Sequence, residues 1–247
     1  MTITATADLD PTPRGVAHQA SASLAGVVDI VPDLFAPRRP AETLQGVVSL
    51  ARRTFGCHGA GVILATKGGG TTPAVASGFD AVRADAMQVE YHQGPAFEAI
   101  AGSRPAVTTE LRFDSRWRFW GPTTADLGFR SVLSLPLVDG DPFGALTLYS
   151  RHPAFFRSGT LAAELSFAQQ ASIAIAIAVE REQLMRARDS RGVVGQAQGI
   201  LMERYQISAE QAFALLRRYS SHLNQRLRLV AERVVVDRSL PELAPNA

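Results

Sequence analysis

The chain has 247 residues, 46% hydrophobic and 19% charged, with a net charge of +2. That length supports one sizeable core plus a smaller second unit, and the near-neutral balance excludes a polycation as a whole. Cys57 is the single cysteine, which excludes an intramolecular disulfide and a multi-cysteine zinc site.

The N-terminal MTITATADLDPTPRG lacks a basic segment followed by an apolar one, so it is no secretory signal, and residues 1–20 are expected to be disordered. LAGVVDIVPDLF, from Leu24, has apolar residues at helical spacing, and PRRP at 37–40 breaks it. AETLQGVVSLARRTF predicts a second helix, with Leu44, Val47, Val48 and Ala51 on one face. GAGVILATKGGGTT predicts a strand ending in a glycine turn, with its partner over 73–77. Residues 86–101 predict a helix interrupted near Gly94-Pro95, and 105–111 a short extended piece. SVLSLPLV and FGALTLYS predict two strands joined by DGDP, a hairpin turn.

A long helix is expected over 159–188. Its isoleucines at 173, 175 and 177 alternate with alanine, but length and flanking Glu, Gln and Arg favour helix over strand. Leu161, Leu165, Ala168, Ile175 and Val179 fall near a 4-3 spacing, suited to packing on the sheet or pairing with a second copy. No run of 18 or more apolar residues predicts a membrane span. Three short helices follow. The first is expected over 191–205. The second starts after Ser208, where S-A-E-Q is a capping-box pattern. The third follows Asn224 as its expected cap. Short loops between amphipathic helices predict a small bundle.

Charge is unevenly spread. Between Arg181 and Asp237 ten arginines face six acids, giving +4, whereas residues 1–180 carry −2. That concentration is a modest electrostatic footprint for nucleic acid. Lys67 is the single lysine among 25 basic residues. The arginine excess fits a composition bias, and it also supplies planar guanidinium groups for phosphate and base contacts.

The first bundle helix carries Gly195 and Gly199 beside Ala197 and two glutamines, although each helical glycine costs about 1 kcal/mol relative to alanine. Residues 193–235 resemble the ANTAR domain family, an RNA-binding module of bacterial transcription antiterminators. The resemblance is carried by Ala197, Gly199, Leu201 and Met202, then Ala212-Phe213, Leu216-Arg217 and Ser220, then Leu227 and Val230-Ala231, in order and at the expected spacing. The family's usual lysine is Gln198 here. The resemblance implies that Ala197 and Gly199 clear space for an RNA loop while Gln198, Met202 and Arg204 make contacts. It extends the expected site to Arg217, Arg218 and Ser220 of the second helix and to Asn224, Arg226 and Arg228 at the start of the third. Arginines would meet phosphates or stack on bases, and Gln198, Ser220 and Asn224 would read base edges. The alternative is that the two glycines serve tight helix–helix packing.

Residues 24–180 resemble a GAF domain, a sensing α/β fold, through GVILAT, QGPAFEAI, DSRWRFW and GFRSVLSLPL with GALTLYS. The resemblance implies an unidentified small-molecule ligand. In DSRW it implies that Asp114, Arg116 and Trp117 order a loop over the pocket.

Other chemistry finds little support. His58, His92 and His152 lack a paired ligand spacing, and GGG at 68–70 is not followed by the GK[ST] of a phosphate loop. Cys57, between a helix and a strand, reads as a buried thiol. No Ser-His-Asp set or supported carboxylate pair occurs, so no enzyme, cofactor or metal is expected. The fold expected is α+β: a GAF-like antiparallel sheet flanked by helices, a long connecting helix, then a C-terminal three-helix ANTAR bundle. The divisions are 1–20 lead-in, 21–180 sensor, 181–190 helical linker, 191–237 RNA-binding bundle and 238–247 tail. The function expected is a cytoplasmic, homodimeric RNA-binding antitermination regulator that needs no membrane. The alternative is a signalling module whose bundle docks a protein.

Overall fold

A computed structural model describes residues 30–36, 38–66, 68–156 and 161–241. The expected lead-in over 1–20 and the tail from 242 lie outside the described residues, as does the first part of the helix expected from Leu24. The chain divides into two compact units, with the division between Ala174 and Ile175.

In the first unit α1 is the short Val31–Leu34 and α2 is Pro40–Phe55. Leu44, Val47, Val48, Ala51 and Phe55 recur at helical spacing and are buried, and Arg52 and Arg53 sit favourably in the last turn. Strands β1 (Gly59–Ala65) and β2 (Thr71–Ala76) follow, then α3 (Gly78–Tyr91) and α4 (Pro95–Gly102). Next come β3 (Ala106–Thr108), two 3-10 turns (Leu111–Phe113 and Ser115–Trp117) and α5 (Trp120–Asp126). Strands β4 (Ser131–Asp139) and β5 (Asp141–Ser150) complete one antiparallel sheet of order β2-β1-β5-β4-β3.

Period-two alternation assigns the sheet residues to two sides. Ile63, Val132, Ala145 and Tyr149 join a core with Trp117, Trp120 and Phe129. The intervening Leu133, Leu135, Leu146 and Leu148 are fully buried on the other side. Pro136 is tolerated in β4 because β3 pairs only with 132–134, leaving Pro136 paired on the β5 side alone.

Two boundaries differ from the sequence expectation. Helix α3 starts at Gly78, not near 86, because Ala81, Ala84, Met87 and Gln88 already form a buried face. The break at Gly94-Pro95 is as expected: Gly94 has φ +139 and Pro95 opens α4. The larger difference is α6, a continuous helix over Ala162–Tyr205. The expected stop near 189–190 is absent. No proline interrupts the helix, and Gly192, Gly195 and Gly199 all avoid positive φ. Phe167, Ala168, Ala171 and Ala174 form its buried stripe, whereas Leu165 and Val179, expected on that stripe, are more than a third exposed. By length and composition α6 contains a window apolar enough to cross a membrane, with 44% of it buried inside the protein.

In the second unit the end of α6 joins α7 (Ala209–His222) and α8 (Leu227–Asp237). The first bundle helix is thus the C-terminal end of the long helix. Ala197 and Leu201, Ala212 and Leu216, and Val230, Ala231 and Val234 are fully buried and form its core. Each set recurs at three or four residues, which places one face of each helix inward.

Candidate nucleic-acid interface

The bundle is held at its corners by polar side chains on neighbouring backbone. Ser208 Oγ accepts from Gln211 N at 3.2 Å, and Gln211 Oε1 accepts from Ser208 N at 2.9 Å, completing the expected capping box. Gln198 Nε2 donates to the Ala209 carbonyl at 3.1 Å, tying α6 to the start of α7. Ser220 Oγ donates to the Gln225 carbonyl at 2.6 Å, and Gln225 N donates back to the Ser220 carbonyl at 3.0 Å. These two bonds close the α7–α8 turn. Arg204 Nη1 donates to the Arg238 carbonyl at 2.8 Å, where the chain leaves α8 in the left-handed conformation. Arg228 Nε pairs with Glu232 at 2.7 Å along α8.

Four of the eleven expected contact residues therefore already have partners: Gln198, Arg204, Ser220 and Arg228. Ala197 is a correction of another kind. It is fully buried in the bundle core, so it presents no surface to a ligand. Its small size serves packing against α7 and α8. Asn224 does not cap α8, since Arg226 occupies the N-cap without a side-chain bond. Asn224 instead takes φ +49 in the turn, a conformation that asparagine tolerates.

The remaining residues do not share one surface. Arg217, Arg218, Asn224 and Arg226 are exposed at the end of α7 and the turn after it, and no ion pair engages their side chains among the described residues. Phe213 lies one turn before Arg217 and is 37% exposed. An exposed ring one turn from an unpaired guanidinium suits stacking on a base beside a phosphate contact. Met202, 36% exposed, follows Gln198 by one turn on α6.

Gly199 faces elsewhere. It lines an open groove of about 620 Å³ with Gln196, Ile200, Glu203, Val235 and Arg238. A Cβ built on Gly199 or Gly195 meets nothing within 4 Å. Tight packing inside the bundle therefore does not account for either glycine. Gln196, Glu203 and Arg238 escaped the sequence reading because their grouping depends on α8 returning beside α6.

The sensor-side groups are structural in their contacts. Arg116 pairs with Asp114 at 2.7 Å and Glu98 at 3.0 Å, donates to the Val107 carbonyl at 2.6 Å, and lies 4.3 Å from the Trp117 ring centroid. The DSRW segment is thereby fixed as an ordered loop. Burial pushes the Cys57 thiol up to about 12, so it stays protonated. His58 and His152 meet edge-on at 5.0 Å, and burial is the main cause lowering the His58 pKa. Among the described residues no three His, Cys, Asp or Glu side chains group as metal ligands.

Comparison with known families settles the membership. A GAF domain model matches residues 37–176, and an ANTAR domain model matches 182–235. The chain belongs to the GAF family and carries an ANTAR domain. It is accordingly a signalling regulator with a GAF sensor module and an ANTAR RNA-binding module.

The GAF module resembles solved structures at low identity. The GAF domain of a phosphoenolpyruvate-protein phosphotransferase from Coxiella burnetii has 14% identity and a TM-score of 0.54, covering 68% of this chain and 99% of that one. A GAF domain of the same kind of protein from Acinetobacter has 13% identity and a TM-score of 0.50, covering 64% and 94%. The reduced fRMsr of Staphylococcus aureus has 11% identity and a TM-score of 0.50, covering 62% and 95%. At such identities the likeness concerns the fold alone. No curated protein matches the sequence.

Proposed function

We propose that this chain is a cytoplasmic, non-enzymatic transcription antitermination regulator. Its ANTAR module binds and stabilises RNA hairpins in leader transcripts, so that a competing terminator hairpin does not form. The GAF module, with a small-molecule ligand, supplies the signal, and residues 181–190 are the helical connection to the output at 191–237. The observation that carries the reading is the set of exposed arginines, Arg217 and Arg218 on α7 and Arg226 just before α8, which form no ion pair among the described residues. Guanidinium groups with no internal anion are available for phosphates.

A homodimer belongs to this reading. Ile173, Ile177 and Leu184 are 48%, 50% and 65% exposed along α6, and two linked weak sites raise effective concentration on paired hairpins. The test is binding of the purified protein to a two-hairpin RNA against a scrambled RNA of equal length. Preference for the hairpins is expected, and equal affinity for both would reject the reading.

Gln198 favours a second reading. It stands where the family has lysine, and its amide is engaged by the Ala209 carbonyl. A bundle without that cation suits docking on a protein. Under this reading RNA binding is weak at every salt concentration, and Gln198→Lys does not raise it.

A further inference from the structure

Asp85 lies fully buried on α3 among the sensor core. Its Oδ1 accepts from the Tyr149 hydroxyl of β5 at 2.5 Å and from Gln88 Nε2 at 3.2 Å. Gln88 Nε2 also donates to the Tyr149 oxygen at 3.0 Å, and Gln88 Oε1 accepts from Ala96 N, in the first turn of α4, at 2.9 Å. Three elements thus meet in one hydrogen-bonded cluster.

Two glycines make room for it. A Cβ on Gly61 of β1 would stand 1.8 Å from Asp85 Oδ2, and a Cβ on Gly94 would stand 2.3 Å from Gln88 Oε1. Yet Asp85 Oδ2 has no hydrogen-bond partner among the described residues. The groups facing Asp85 are Gln88 from its own helix, the bare Gly61 of β1 and Tyr149 from β5; Tyr149 is the one titratable group among them. The Arg151–Asp80 pair, at 2.7 Å, is partly exposed near the end of that strand and the start of that helix. Among the described residues no cation neutralises the buried carboxyl. An ionised carboxylate in this setting leaves one oxygen without solvent, donor or counter-ion, which favours the neutral acid.

We infer that Asp85, Gln88 and Tyr149 form a proton-responsive latch in the GAF module. While Asp85 stays neutral, the dry cluster of Asp85, Gln88 and Tyr149 holds α3, the first turn of α4 and β5 together. When the Asp85 proton passes to solvent, the unpaired carboxylate draws water and this corner loosens. The acid's O–H is the one covalent bond broken.

Burial places the Asp85 pKa at about 7, opposed by the Tyr149 and Gln88 hydrogen bonds, while burial and the Asp85 charge hold Tyr149 protonated. The folded pKa lies above the ordinary carboxylate value of 3.8, so the folded state holds the extra proton between the two. The latch's contribution is therefore present at low pH and is lost as pH rises toward and through about 7.

The molecule carries its own reporter. Trp117 and Trp120, the two tryptophans of the chain, belong to the same core cluster. Trp120 Nε1 donates to the Ala84 carbonyl, next to Asp85, at 2.9 Å. The experiment follows tryptophan fluorescence and melting temperature of the full chain from about pH 5.5 to 8.5. The wild type is expected to show one transition with its midpoint near 7 and a lower melting temperature above it. Asp85→Asn, a neutral isostere, is expected to abolish the transition and to melt above wild type at high pH. Tyr149→Phe removes a donor to the carboxylate and is expected to move the midpoint upward. A flat wild-type profile would overturn the latch, as would a transition retained in Asp85→Asn or a midpoint unmoved in Tyr149→Phe. None of these readouts depends on RNA binding.

Discussion

Gly199 and Gly195 show how one residue type divides between stability and use. Each lies within α6 and each faces open space. A helical glycine gives up about 1 kcal/mol relative to alanine, and no internal contact here recovers it. Substituting alanine is therefore expected to stabilise the bundle by about 1 kcal/mol at either site. The two variants should differ in function. Gly199→Ala narrows the groove floor and is expected to weaken hairpin binding, whereas Gly195→Ala, outside that lining, should leave it unchanged. Melting curves and binding isotherms on both variants check this pairing; equal binding by both would detach the groove from RNA recognition.

At the scale of elements, the sequence disclosed most of what it had local signals for. The capping box at Ser208, the glycine–proline break before α4 and the hairpin between β4 and β5 all have short-range chemistry, and all three are present. The continuity of α6 was harder to see. Asp189, Ser190 and Gly192 look like a stop, but a stop needs a conformational change that none of them enforces. The candidate site was half legible for a similar reason. Which arginines are free depends on what each meets in space: Arg204 reaches the carbonyl of Arg238, thirty-four positions later, while Arg217 meets no partner among the described residues. Spacing in sequence does not reveal such pairings. The continuous helix has a direct test. Gly192→Pro places proline inside it and is expected to cost about 3 kcal/mol or more and to reduce helicity by circular dichroism. A variant that melts like wild type would mean that the helix ends there.

For the whole molecule, a sensing module is joined to an RNA-binding module, and a second copy is part of the proposed function. The exposed apolar residues of α6 provide the test. Ile177→Glu combined with Leu184→Glu removes apolar surface at positions 50% and 65% exposed, so the folding of one chain should be little affected. Sedimentation is expected to show monomers, with affinity for a two-hairpin RNA reduced about 100-fold while a single hairpin binds as before. Unchanged association would place the dimer contact elsewhere.

The measurement that bears most directly on RNA binding is the salt dependence of affinity for the two-hairpin RNA. It compares wild type with a variant carrying Arg217→Ala, Arg218→Ala and Arg226→Ala. Each phosphate contact on single-stranded RNA contributes about 0.7 to the slope of log affinity against log salt. A steep wild-type slope is expected, falling by about 4 in the variant because each copy of the dimer loses three contacts, together with loss of affinity. Identical slopes and affinities in the two proteins would contradict that expectation.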